Sequence, residues 1–119
     1  MKKLSVILAA TLILICSATW TWPAYAEDAK AKNPYEGDQK IVKEGKVIFD
    51  NNCKSCHGEG AKGDICPDLT TKKKKYGNAD TDLFTTISKG RPGGMPNWDN
   101  NLGKDKIWKV ITYIRSVEK

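Results

Sequence analysis

The sequence predicts an all-α fold of three or more short helices joined by loops that outweigh them. Three observations carry that expectation. Apolar residues recur at helical spacing in three separate segments. Nowhere do apolar and polar residues alternate over the length of a strand. The stretches between the helical segments are rich in Gly and Pro. At 39% hydrophobic and 29% charged residues the composition is that of a globular protein, while a length of 119 residues excludes a second independent core and hence a two-domain enzyme. Short helices in so short a chain supply a thin core, so something besides helix packing must stabilise it.

Residues 1–26 have the form of a secretory signal peptide that is cleaved. Lys2 and Lys3 open it, residues 4–22 are uncharged and largely apolar, and Ala24-Tyr25-Ala26 is a small-x-small cleavage site. Cleavage before Glu27 leaves 93 residues with 18 basic and 14 acidic side chains, a net charge of +4. One alternative is the same segment kept as a membrane anchor, because nineteen uncharged residues are close to the shortest span. Lipidation at Cys16 is a second, opposed by the bulky Ile15 before it. Past residue 26 no segment is apolar enough to cross a membrane. Loss of Cys16 leaves Cys53, Cys56 and Cys66, an odd number that cannot close into a disulfide framework.

Residues 27–38 are polar, of mixed charge and without an apolar period, which reads as a flexible leader; residues 39–119 form the folded domain. Ile41, Val42, Ile48 and Phe49 fall one and two turns apart and predict an amphipathic helix over 39–52. Gly45 lies on the same face, and a helix-interior Gly, about 1 kcal/mol worse than Ala, implies close packing of another element. Residues 58–78 carry Gly58, Gly60, Gly63, Gly77, Pro67 and the run Lys72, Lys73, Lys74 and Lys75, an irregular loop long enough to need something to wrap around. Asp80, Thr81 and Asp82 are cap candidates for a short helix over 83–89 that Gly90 ends. A second loop, 91–101, holds two Pro and two Gly. The last helix runs over about 104–117, with Ile107, Trp108, Val110, Ile111, Ile114 and Val117 inward.

Cys53-Lys54-Ser55-Cys56-His57 carries the chemistry. Two thiols three positions apart can reach the two vinyl groups on one edge of a porphyrin, and the adjacent His is then carried beneath the ring to bind iron. This is the pattern for covalent attachment of one haem c through two thioethers. The competing readings are a thioredoxin-type motif, which lacks its βαβ setting here, a zinc site from Cys53, Cys56, His57 and Cys66, and a strained Cys53–Cys56 disulfide. His57 is the sole histidine, so a second imidazole on the same iron is excluded within one molecule. Met95 is the sole methionine besides the initiator and sits between Gly93-Gly94 and Pro96. Its thioether is the candidate for the other axial position; filling a gap in the core is the alternative.

On these residues the chain resembles the class I c-type cytochromes. The resemblance runs from about Gln39 to the C-terminus through Gly45, Phe49, the Cys53 to His57 motif, Pro67-Asp68-Leu69, Met95-Pro96 and the last helix. It implies the cytochrome c-like fold, long loops around one covalently attached haem, with the first and last helices crossing where Gly45 meets Tyr113. It also implies that the Pro67 carbonyl accepts a hydrogen bond from His57. Tyr76, Leu83-Phe84 and Gly90 bear a faint similarity to cytochromes that accept electrons from quinoprotein alcohol dehydrogenases. Arg91, Tyr76 and Trp98 are candidates for propionate contacts, with surface or packing roles as the alternatives. Cys66 departs from the usual pattern, in which a small non-cysteine residue precedes the proline; a buried small apolar residue or an exposed thiol able to link two molecules are the two readings.

An iron closed by His and Met has no position open for substrate, so the expected function is one-electron transfer rather than catalysis. The main expectation is a soluble, exported, monomeric carrier in the periplasm, moving electrons between a dehydrogenase, such as a quinoprotein, or a membrane complex, and an acceptor such as an oxidase. The alternative is a haem-carrying subunit of a larger membrane-anchored or enzyme complex; a haem enzyme or gas sensor ranks lower, since no second His serves a bound ligand. Lys72, Lys73, Lys74 and Lys75 could steer docking to an acidic partner, or form an ordinary solvated loop. Nucleic acid is an improbable partner for an exported haem protein.

Overall fold

The computed structural model describes residues 31–119. The signal segment and the first four leader residues lie outside the described residues. Helix α1 spans Gln39–Asn52, and Asp38 caps it, its Oδ1 accepting the Lys40 and Ile41 amides at 2.9 and 3.2 Å. A short α2, Lys54–His57, follows at once and leads into a 3-10 turn, Glu59–Ala61. Helix α3 covers Asp80–Lys89, and α4 covers Asp99–Val117 with a break at Gly103. Among the described residues there is no strand, and one isolated antiparallel bridge joins Arg91 to Met95.

The core forms where α1 crosses α4. Phe49 is fully buried against Ile107, Val110, Ile111 and Ile114, and its ring centroid lies 5.2 Å from that of Tyr113. Removing side chains of this size from water contributes roughly 2 kcal/mol apiece. Gly45 makes the crossing possible: a Cβ built there would stand 2.0 Å from the Lys109 carbonyl oxygen and 3.1 Å from Tyr113 Cβ. This explains why the helix tolerates its least favoured interior residue but proline. Across the other side of α4, Leu83 and Ile87 of α3 are buried and Phe84 packs on Trp108 at 4.5 Å.

Two helix starts fall earlier than the pattern predicts. In α3 the Asp82 carboxylate reaches back to the Ala79 amide at 3.0 Å, so the first turn begins at Asp80. Ahead of Gly103, α4 gains a turn at 99–102, anchored by the Leu102 amide on the Trp98 carbonyl at 2.8 Å. That turn is polar on the outside and carries too few apolar residues for a periodicity to register.

The leader, expected to be flexible to residue 38, is fastened from Asn33 onward. Asn33 is buried; its amide nitrogen Nδ2 donates to Thr112 Oγ1 at 2.9 Å, its backbone N–H donates to Asp80 at 3.1 Å, and its Oδ1 accepts the Tyr35 amide. Tyr35 in turn hydrogen-bonds Asp105. These are single polar side chains with no apolar period, so the polarity that suggested a loose segment is the means by which it is tied down.

Candidate functional site

The motif sits at a corner. The Cys53 amide closes the end of α1 on the Phe49 carbonyl at 2.8 Å, and the His57 amide bonds the Cys53 carbonyl at 2.9 Å, so the chain turns through α2 with Cys53 and His57 one turn apart. The loop then folds back on itself: the Gly63 amide donates to the His57 carbonyl at 2.7 Å and the Cys66 amide to the Cys56 carbonyl at 2.9 Å. Pro67 is brought beside His57, whose Nδ1–H donates to the Pro67 carbonyl at 2.9 Å. That bond fixes the tautomer and leaves Nε2 with a lone pair for a metal.

His57 and Met95 line the same cavity, of about 310 Å³. Leu69, Leu83, Ile87 and Ile114 give it an apolar wall, and Pro67, Tyr76 and Arg91 complete the rim. Met95 is carried on a tight turn, closed by the Arg91 amide donating to the Met95 carbonyl at 3.0 Å. Gly90 sets the base of that turn; its φ of 69° belongs to glycine, and a Cβ there would meet the Met95 carbonyl oxygen at 2.5 Å.

Cys53 packs at the edge of the core, and Cys56 contacts the Cys66 thiol; all three cysteines are half-buried free thiols. Burial, with a smaller push from Cys56, raises the Cys53 thiol to about 11. It is therefore neutral at physiological pH, suited to an apolar edge. Of the three residues considered for propionates, Arg91 and Tyr76 line the cavity and Trp98 does not; Trp98 packs against the core instead. Cys66 lines the cavity beside His57.

The residues fit a haem better than they fit the other readings. An imidazole nitrogen and a thioether sulfur on one apolar cavity, with two thiols one turn apart beside the imidazole, is a donor set for iron in a planar apolar ligand. Among the described residues no three His, Cys, Asp or Glu side chains converge as metal ligands.

The family model described as cytochrome C oxidase, cbb3-type, subunit III matches residues 40–114, which include every residue of this site. The chain belongs to this family of class I c-type cytochromes. Among its relatives, the cbb3-type cytochrome c oxidase subunit FixP of Bradyrhizobium diazoefficiens is 41% identical over 76 residues, 61% of this chain and 26% of that protein. Subunit CcoP of Azospirillum brasilense is 32% identical over 99 residues, 77% of this chain and 34% of that protein. This cytochrome thus spans about a quarter to a third of the length of the curated relatives it matches. Among solved structures, cytochrome cL of Methylophaga aminisulfidivorans is similar with a TM-score of 0.69 at 34% identity, covering 71% of this chain and 58% of that one. Cytochrome cL of Hyphomicrobium denitrificans also gives 0.69, at 31% identity, covering 72% and 52%. The fold is therefore the cytochrome c fold, and the chemistry of the family is haem-based electron transfer.

The lysine run divides under the structure. Lys72, Lys73 and Lys75 are exposed, but Lys74 is an internal group, paired with Glu118 where both side chains are 8% exposed. Its Nζ also donates to the Thr71 carbonyl at 2.6 Å. Lys74 is thus no docking charge. Sequence spacing held no trace of this pair, whose members stand 44 residues apart. Nor did it signal Thr86, whose Oγ1 accepts from Arg91 Nε at 3.2 Å and from a terminal guanidinium nitrogen at 2.8 Å.

Proposed function

We propose that this cytochrome is a single-haem electron-transfer unit of a membrane-bound terminal oxidase complex of the cbb3 type, its domain lying on the periplasmic side. Cys53 and Cys56 would hold one haem c by thioethers, and His57 and Met95 are the residues that would bind its iron. The observation that carries the reading is the meeting of His57 and Met95 on one apolar cavity within the span matched by the oxidase-subunit family. A haem held by these residues would supply one-electron transfer. His57 is oriented by Pro67, Met95 is presented by the Arg91–Met95 turn, and the leucine and isoleucine wall would help exclude water from a haem seated in the cavity.

The free periplasmic carrier, expected first from the sequence, is the second reading. It is favoured by the structural likeness to two cytochromes cL, each with a TM-score of 0.69. Among the described residues no helix is long and apolar enough to cross a membrane.

The purified protein should carry one haem that acid-acetone does not extract, and Met95→Ala should abolish the far-red sulfur-to-iron charge-transfer band and lower the midpoint potential. Extractable haem defeats the thioethers; an unchanged band and potential defeat Met95. Solubilised membranes should yield the protein together with a haem-copper oxidase. Recovery of all of it from the periplasmic fraction, with no oxidase, would decide for the free carrier.

A further inference from the structure

Cys56 has a sulfur neighbour other than the one its spacing suggests. Cys53 precedes it by one helical turn and packs at the edge of the core, whereas the thiol in contact with Cys56 is that of Cys66. The main chain builds this contact. The Cys66 amide donates to the Cys56 carbonyl at 2.9 Å. Such a bond caps the separation of the two Cα atoms at about 6.8 Å, the outer limit of the span that a disulfide bridges. The loop between them is closed by further bonds of its own: the Gly63 amide on the His57 carbonyl at 2.7 Å, the Ala61 amide on the Gly58 carbonyl at 3.2 Å and the Asp64 amide on the Cys66 carbonyl at 3.0 Å. Gly58 permits the closure, with a φ of 77° and the Gly63 carbonyl oxygen 2.5 Å from where a Cβ would stand. All of these bonds lie within residues 56–66, so the loop itself brings the two sulfurs together. Cys56 and Cys66 are half-buried free thiols, and Ile65 beside them is 78% exposed, which leaves the pair open to a reagent from solvent.

We propose that Cys56 and Cys66 are an intramolecular disulfide site of the chain before haem is attached, and that this pair, rather than Cys53 with Cys56, is the oxidised form of the motif. The oxidant is a protein or small-molecule disulfide. One cysteine of the pair attacks it and releases a thiol; the other cysteine then displaces the mixed disulfide and releases the second thiol. The two cysteines lose two electrons and two protons, and the external disulfide gains both. Sulfurs carried on one closed loop have a high effective concentration for each other, which favours the internal bond over a link between two molecules. The consequence for assembly rests on the haem reading given above. A thioether at Cys56 forms by adding its S–H across a vinyl group, so Cys66 withholds Cys56 until a dithiol reduces the pair, while Cys53 stays a thiol throughout.

Trypsin separates the three cysteines, because cleavage after Lys46, Lys54, Lys62 and Lys72 places them on fragments 47–54, 55–62 and 63–72. The full chain made without attached haem is reduced, exposed to oxidised glutathione, blocked with N-ethylmaleimide and digested. Mass spectrometry should find 55–62 joined to 63–72, with Cys53 on 47–54 carrying the maleimide. A link between 47–54 and 55–62 as the main product, a link between two copies of 63–72, or maleimide on all three cysteines overturns the proposal. In cells that attach haem, omitting dithiothreitol from the medium should cut the wild-type yield of unextractable haem severalfold and leave that of Cys66→Ser nearly unchanged. Cys66→Ala gives the same reading if Cys66→Ser fails to accumulate. Equal dependence on the reductant in the wild type and both variants overturns the claim that Cys66 withholds Cys56. Haem that acid-acetone extracts from every sample would defeat the haem reading, and the peptide map decides the disulfide without it.

Discussion

The α1–α4 crossing and the cavity wall opposite it are built on different principles. At the crossing, Phe49, Tyr113, Ile107 and Ile111 bury each other, and Gly45 lets two backbones touch. Nothing beyond the chain is needed there. The wall over the cavity is loop: residues 58–79 and 91–98 hold to the body by single hydrogen bonds such as the Leu69 amide on the Ala61 carbonyl at 2.8 Å, by the Trp98 amide on the Ile87 carbonyl at 3.2 Å, and by buried charge. Loops of this kind carry function because their shape is set by what they surround, while the rigid half fixes where they start and end. The haem motif lies at the border, its first cysteine closing α1 and its histidine opening the loop.

The comparison can be broken most severely at Gly45. Gly45→Ala would gain about 1 kcal/mol of helix propensity, but its Cβ would lie 2.0 Å from the Lys109 carbonyl, a backbone atom that cannot swing aside. The helices must separate. Thermal unfolding of the ferric protein should show a loss of about 4 kcal/mol or failure to accumulate holoprotein. A variant as stable as the wild type would mean that the crossing is not where the fold is fixed.

The loop half has its own anchor, and a second substitution tests it. Arg115, Asp80, Glu118 and Lys74 form one cluster joining the end of α4, the start of α3 and the lysine loop, with Arg115 also donating to the Asn78 side chain at 3.0 Å. Burial by itself would raise the Glu118 carboxyl, but Lys74 and Arg115 outweigh it and hold the group below its ordinary value of 4.5. Glu118→Gln leaves Lys74 buried without its partner and should cost about 3 kcal/mol at pH 7. A carboxyl lowered on folding stabilises fully above its unfolded value, and that contribution is lost as the pH falls through the folded one. The wild type's advantage over Glu118→Gln should therefore be flat above about pH 5 and shrink steadily below it. An advantage independent of pH down to 3 would show that Glu118 acts by shape and not by charge.

This division also governs what could be read from the sequence. The helix pair was legible because period and propensity are local: the bounds of α1 agree with the pattern, and the odd placement of Gly45 already implied a close neighbour, later seen as Lys109 and Tyr113. Cys53 to His57 stood out because the spacing of its thiols and imidazole is itself what the proposed haem attachment asks for. The Pro67 contact came through the family resemblance, since nothing local says that a carbonyl ten residues on will meet His57 Nδ1. Asn33, Thr86 and the Lys74–Glu118 pair were not legible at all. Each is a polar side chain whose partner lies elsewhere in the chain, and polarity alone reads as solvent exposure. Lys74 shows the cost: within a run of four identical residues, one has an internal role that no spacing marks.

The smallest effect expected is on encounter with a partner, and it separates the two kinds of lysine. Replacing Lys72, Lys73 and Lys75 with Gln should leave stability unchanged, because exposed charges contribute little to folding. Electron transfer to an isolated cbb3-type oxidase should slow by a factor of roughly three at low salt, and the difference should vanish near 1 M salt, where the screening length is about 3 Å. Lys74→Gln should do the opposite: a lower melting temperature from the broken Glu118 pair, with an unchanged encounter rate in the folded fraction. Equal salt-dependent slowing by Lys74→Gln would mean that its charge reaches solvent after all, and no slowing by the triple variant would make the run an ordinary solvated loop.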